Sequence, residues 1–198
     1  MTWTIRLATS SDAAAIAEIY RPIVTSTPIS FEIEPPDEQE FQRRIKKVIP
    51  GHPWLVCENQ QQIAGYAYAS RHHERAAYQW SVDTSVYVHS DYRRRGIGQA
   101  LYTSLFRILI AQDYYNAYAG ITLPNPGSVG LHESVGFKRL CVYHNVGYKL
   151  GSWYDVGWWE LSLQPVTGAP PKSPKKLFEV QSSSSWHELL VSGLACVH

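Results

Sequence analysis

The sequence predicts an α/β fold: one domain built on a mixed, mostly antiparallel sheet with helices on both faces. Three observations point to it. Two apolar runs, "WLVCE" and "IAGYAYAS", flank a short polar turn at Asn59 to Gln62 and read as an antiparallel hairpin. The β-rich stretch "YQWSVDTSVYV" passes through a basic glycine turn into the amphipathic helix pattern "QALYTSLFRILIAQ", and then into another strand, "YYNAYAGITL". Two further β-rich stretches, "KRLCVYHNVGYKL" and "WYDVGWWELSL", follow.

The remaining elements can be justified in order. "WTIRLA" alternates as a first strand. Ser10 or Ser11 is placed to cap the helix "DAAAIAEIY", whose Ala13, Ile16, Ala17 and Tyr20 share one face. "TSTPISFEIEPP" is a loop, and its apolar Phe31 among polar neighbours is a candidate pocket residue. Pro36 and Asp37 open a second helix that runs to about Val48, with Phe41, Ile45 and Val48 on one side. "RHHERAA" is a charged loop, and "PNPGSVGLHESVGF" reads as a loop, a short helix and a turn at Gly136. After Leu163 the composition shifts to Pro, Gly, Lys and then "SSSS". The folded domain is therefore expected over 1–164 and a flexible Pro/Ser-rich tail over 165–198, with a short docked helix in "WHELLVSGLACVH" as the alternative for its last piece.

Composition narrows the function classes. A chain of 198 residues can bury a real core. With 44% hydrophobic and 18% charged residues it is globular rather than disordered. A formal net charge of +1 argues against nucleic acid as a partner of the whole molecule, so any anion site must be local. No stretch approaches the roughly 18 apolar residues of a membrane span, and "MTWTIRLATSSD" lacks the apolar core of a signal peptide. Cys57, Cys141 and Cys196 form no CxxC pair, so neither a disulfide framework nor a structural zinc site is expected. These features together predict a reduced, cytoplasmic protein without a metal.

The chemistry concentrates at "SVYVHSDYRRRGIGQALY", residues 85 to 102. A strand that feeds a helix through a turn presents backbone N–H groups and the positive end of the helix dipole to an anion. Gly96 and Gly98 let a ligand approach the backbone, and Arg93, Arg94 and Arg95 add positive charge. The arrangement suits a diphosphate, yet it is neither the Rossmann fingerprint nor a P-loop.

Arg93-x-x-Gly96-x-Gly98, set between an apolar strand and an amphipathic helix, resembles the acyl-CoA-binding motif of the GNAT superfamily of N-acetyltransferases. "NPGSVGLHESVGF" resembles the second signature of that superfamily. "STPISFE", "WSVDTSVYV", "LYTSL", "YAGITLPNPGSVGLHESVGF" and "VGYKLGSWYDVGWWEL" together are similar to the phosphinothricin N-acetyltransferase family, which includes methionine sulfoximine acetyltransferases. The resemblance covers roughly residues 3 to 163 and leaves out the tail.

The resemblance implies a sheet whose central strands, around Val82–Val88 and Tyr115–Ile121, splay apart for the pantetheine arm of acetyl-CoA. It implies that Val86, Tyr87 and Val88 offer main-chain hydrogen bonds to the thioester and pantetheine, and that Arg93, Arg94, Arg95, Gly96, Ile97 and Gly98 hold the pyrophosphate. Asn125 and Ser134 would also contact CoA. The acceptor would be a small amino acid or analogue, met by Arg75 and Tyr78, with Phe31 explained equally by the pocket wall or by core packing, and the enzyme would be a homodimer. Amine acetylation needs a base for the ammonium and a donor for the leaving thiolate. Asp83 stands where the family has a Glu base, one methylene shorter, so either water fills the gap or the base lies elsewhere. His132 stands where the family carries a His suited to protonating the thiolate. Trp80 is explained equally by the pocket or the core, and the adjacent His72 and His73 are not a metal pair. An acceptor at a peptide or protein N-terminus, and a non-catalytic acyl-CoA sensor, stay open as alternatives.

Overall fold

The computed structural model describes residues 3–198. The strands are β1 (Trp3–Leu7), β2 (Trp54–Asn59), β3 (Gln62–Arg71), β4 (Ser81–Val88), β5 (Asn116–Leu123), β6 (Lys138–Lys149) and β7 (Ser152–Ser162). They form one seven-stranded sheet in the order β1-β2-β3-β4-β5-β7-β6. Every neighbouring pair is antiparallel except β4 and β5, which run parallel. The predicted mixed, mostly antiparallel sheet is therefore present.

Helices α1 (Ala13–Ser26) and α2 (Glu38–Val48) cover one face, while α3 (Ile97–Ala111) and α4 (Pro126–Ser134) cover the other. Local sequence explains where they start. Asp37 caps α2 by accepting the Glu40 N–H at 2.8 Å. At α1 the predicted caps Ser10 and Ser11 instead sit within a 3-10 turn. The Asp12 carboxylate closes that turn by accepting the Thr9 N–H at 2.7 Å.

The β2–β3 hairpin is sandwiched between two cores. Trp54, Val56, Tyr66 and Tyr68 point toward α1 and α2, whereas Leu55, Cys57, Ala67 and Ala69 point toward α3. The alanines let α3 lie close to the sheet, and the aromatics fill the wider space under α1 and α2.

The tail departs from its expected flexibility. It contains α5 (Leu177–Gln181) and α6 (Trp186–Val191), and Leu177 and Val180 are buried. Polar ties fix its path. The Lys175 N–H donates to the Gln112 carbonyl at 2.9 Å, and the Gln112 side-chain amide donates to the Lys175 carbonyl at 3.0 Å. The fully buried Ser104 hydroxyl donates to the Leu190 carbonyl at 2.8 Å and accepts the Gly193 N–H at 3.1 Å. The Trp80 indole donates to the Lys172 carbonyl at 2.7 Å, so this Trp anchors the tail.

Candidate functional site

Pairing between β4 and β5 covers only Ser81–Asp83 against Asn116–Tyr118. Beyond it the strands part, and a last link runs from the Thr84 hydroxyl to the Tyr118 carbonyl at 3.3 Å. The part of β4 that follows has a strand partner on its β3 side only. A cleft of about 470 Å³ opens there, walled by Thr84–Val88 of β4, Gly120–Thr122 of β5, the turn before α3, and α4.

The turn has the geometry its glycines permit. Gly96 is the N-cap of α3 at φ +76°, with no side chain capping the helix. The first helical bond runs from the Ala100 N–H to the Gly96 carbonyl at 2.8 Å, so the N–H groups of Ile97, Gly98 and Gln99 lack helical acceptors. These residues line the cleft together with Arg93 and Arg94. Arg95 does not border it; its guanidinium lies over the Tyr92 ring, 5.6 Å from the centroid. A Cβ on Gly98 would come within 2.7 Å of Leu131 Cδ2, so glycine is what lets α3 and α4 approach. A Cβ on Gly96 would overlap the Cys196 carbonyl, because the tail packs against the outer side of the turn.

Asn125 borders the cleft and caps α4, its Oδ1 accepting the Ser128 N–H at 3.1 Å. His132 is buried, with Nδ1 2.7 Å from the Ser128 carbonyl and Nε2 2.8 Å from the Tyr102 hydroxyl. A carbonyl only accepts, so Nδ1 carries the proton and Nε2 accepts from Tyr102. Burial lowers the His132 pKa, against the opposing bond to Ser128, so the resting ring is neutral. Tyr102, which the sequence analysis assigns no role, thus joins the site beside His132 on the cleft wall. Ser134 is not brought there; its hydroxyl bonds back to the Leu131 carbonyl at 2.7 Å, and Ser128 borders the cleft instead.

Asp83 is the last residue of β4 paired with β5 and faces the α1–α2 side, opposite to Thr84 and Val86. Its Oδ1 lies 2.7 Å from His72 Nδ1. Burial raises the Asp83 carboxyl above its ordinary value, although the bond to His72 pulls the other way. Arg75 is exposed, just before a 3-10 turn at Ala76–Tyr78, and the Tyr78 ring stands edge-on to His73 at 4.7 Å. Phe31 occupies the space beside Gly147 on β6, where any side chain would collide with its ring. The buried Lys149 Nζ donates to the Ser30 carbonyl at 2.6 Å, so β6 holds the Phe31 loop down. Ile29 of the same loop reaches the cleft. Among the described residues, no group of three His, Cys, Asp or Glu side chains is spaced to hold a metal ion, and no helix is long and apolar enough to cross a membrane.

A strand pair that parts beside uncapped helix N–H groups, with a Tyr–His pair on one wall and a half-buried carboxylate at the fork, is suited to acyl transfer, and the family of the chain makes it an acyltransferase. The chain belongs to the GNAT acetyltransferase domain family, whose model matches residues 5–158. It is 36% identical over 176 residues to a phosphinothricin N-acetyltransferase of Streptomyces viridochromogenes, covering 89% of this chain and 95% of that one. It is 31% identical over 161 residues to an L-methionine sulfoximine/L-methionine sulfone acetyltransferase of Salmonella typhimurium, covering 81% and 94%. Among solved structures it resembles a phosphinothricin acetyltransferase from Sinorhizobium meliloti in complex with AcCoA. That match has a TM-score of 0.82 and 33% identity over 87% of this chain and 94% of the other.

Proposed function

We propose that this enzyme transfers acetyl from acetyl-CoA to the α-amino group of a small amino acid or analogue of the phosphinothricin or methionine sulfoximine type. The observation that carries the reading is the fork at Asp83. There a single strand passes from a carboxylate on one face to a free main-chain edge that borders the cleft.

The parts divide as follows. The N–H groups of Ile97, Gly98 and Gln99, with Arg93 and Arg94, suit the pyrophosphate. The unpaired edge of β4 suits the pantetheine arm and the thioester carbonyl, whose developing oxyanion needs donors already in place. The acceptor enters from the α1–α2 side, near Asp83, Arg75 and Tyr78. The deprotonated amine attacks the thioester carbon directly, without a covalent enzyme intermediate. Tyr102 and His132 lie on the cleft wall, suited to meeting the departing sulfur. The Phe31 loop, tied to β6 through Lys149, narrows the acceptor side and favours a small acceptor over a peptide N-terminus. Leu140, Tyr143, Tyr148 and Trp153 leave an exposed apolar surface on β6 and β7, the face through which two copies would pair.

The test is thiol release from acetyl-CoA across phosphinothricin, methionine sulfoximine, methionine sulfone, ordinary amino acids and a polyamine. Turnover confined to amino acids and their analogues is the expected result. Acetyl-CoA that raises the melting temperature while no amine is acetylated would favour a non-catalytic acyl-CoA sensor.

A further inference from the structure

The Asp83 carboxylate is shorter than glutamate, and one of its oxygens is already engaged. Antiparallel pairing of β3 with β4 sets Ser70 opposite Asp83 and Arg71 opposite Val82. The chain leaving β3 then turns His72 back over the end of the ladder. His72 Nδ1 reaches Asp83 Oδ1 at 2.7 Å. The imidazole is held flat on Tyr118, with ring centroids 4.5 Å apart and an interplanar angle of 21°. Trp158 stands edge-on to it at 6.4 Å and Tyr78 at 6.2 Å. His72 side-chain exposure is 17% and that of Asp83 is 35%, so the pair is screened yet still open to a small molecule.

A carboxylate accepts, so the shared proton sits on His72 Nδ1 and the lone pair lies on Nε2. Nε2 makes no hydrogen bond among the described residues. We propose that His72 Nε2 is the base that deprotonates the acceptor ammonium and that Asp83 is its positioning partner. This rests on the amine-acetyltransferase reading above. Asp83 holds the tautomer and stabilises the imidazolium once it forms.

The step balances. The Nε2 lone pair takes one proton from R–NH₃⁺ to give R–NH₂ and an imidazolium. The amine nitrogen forms a C–N bond to the thioester carbon, and the C–S bond breaks as the tetrahedral intermediate collapses. The second nitrogen proton goes to the sulfur, giving the amide and the free thiol. The imidazolium returns the first proton to solvent. The titratable groups facing the pair are His73, Tyr78, Tyr118 and Tyr68, with Glu160 beyond Tyr118. Arg71 is paired with Glu74.

The experiment is the pH profile of kcat/KM for phosphinothricin, in wild type, His72→Gln, Asp83→Asn and a His73→Gln control. His72→Gln should lower kcat by roughly 100-fold or more, change the acceptor KM less than about threefold, and abolish the acidic limb of the profile. Asp83→Asn should lower kcat by roughly tenfold or more with that limb retained, because the ring loses the carboxylate that orients it. His73→Gln should stay within about threefold of wild type. A His72→Gln enzyme with near wild-type kcat, or one that keeps the same limb, overturns the proposal and returns the base role to Asp83. If wild type acetylates no amine, the acceptor reading has failed separately, and ¹⁵N NMR of the His72 ring decides the pairing. An Nδ1–H tautomer in wild type supports the pairing. A wild-type ring protonated on Nε2 overturns it.

Discussion

Replacing Leu177 by Ala should loosen the C-terminal segment without unfolding the domain. Leu177 is 1% exposed and belongs to the same core as α3. Truncating a leucine buried this fully costs about 3 kcal/mol, from lost transfer energy and the cavity left behind. Its neighbour Phe178 is 64% exposed, so Phe178→Ala should cost at most about 0.5 kcal/mol. The assay is native-state amide exchange at Ser182, whose N–H donates to the Phe178 carbonyl at 3.1 Å. At about 1.4 kcal/mol per factor of ten, Leu177→Ala should speed exchange there by roughly 150-fold, and Phe178→Ala by about twofold. Equal effects from the two substitutions, or no protection at Ser182 in wild type, would refute the docked tail and restore the flexible one.

Gly98→Ala should raise the KM for acetyl-CoA several-fold by pushing Leu131 into the cleft, whereas Gly130→Ala, which meets open space, should leave KM unchanged and add about 0.5–1 kcal/mol of stability. Steady-state kinetics and melting curves check both, and an equal KM in the two variants contradicts the packing. Tyr102→Phe removes the hydroxyl that His132 Nε2 accepts from, and should lower kcat about tenfold with the acetyl-CoA KM within threefold; an unchanged kcat removes Tyr102 from the chemistry. Burial pushes His52 from 6.5 down to about 4, and Arg71 and Lys176 add in the same direction. The folded value is the depressed one, so its contribution to stability is full above about 6.5 and drains as pH falls toward about 4. His52→Gln should therefore narrow the difference in melting temperature between pH 7 and pH 4.5, and an unaltered difference counts against it.

Local signals were legible in the sequence wherever one segment carries them. The turn before α3 announces itself because its glycines and arginines are contiguous, and Asp83 is found by its place on a single strand. His72 is the opposite case. Its tie to Asp83 depends on the β3–β4 register, which no spacing of eleven residues reveals. Tyr102 looks like helix core because that is also what it is; only the position of α4 shows that its hydroxyl has a partner. Ser134 stands in the matching signature, whereas Ser128, six residues earlier and nearly two turns away, borders the cleft. The tail is misread because composition averages over its Pro, Ser and Lys residues. Leu177 and Val180 matter through the α3 surface that receives them, which composition cannot display.

The two-sided burial of the β2–β3 hairpin has a consequence for how its strands find their register. In a half-exposed sheet, a slip of one residue is opposed by polarity, because it would put apolar side chains in water. Here both faces are apolar, and polarity offers no such opposition. Size takes over that task. A one-residue slip would drive Tyr66 and Tyr68 into the narrow layer beneath α3 and leave alanines facing the broad aromatic layer, so overpacking on one side would coincide with a void on the other. The small side chains at Ala67 and Ala69 are thus spacers as much as core, and enlarging them erodes the one distinction that tells the hairpin which way up to lie.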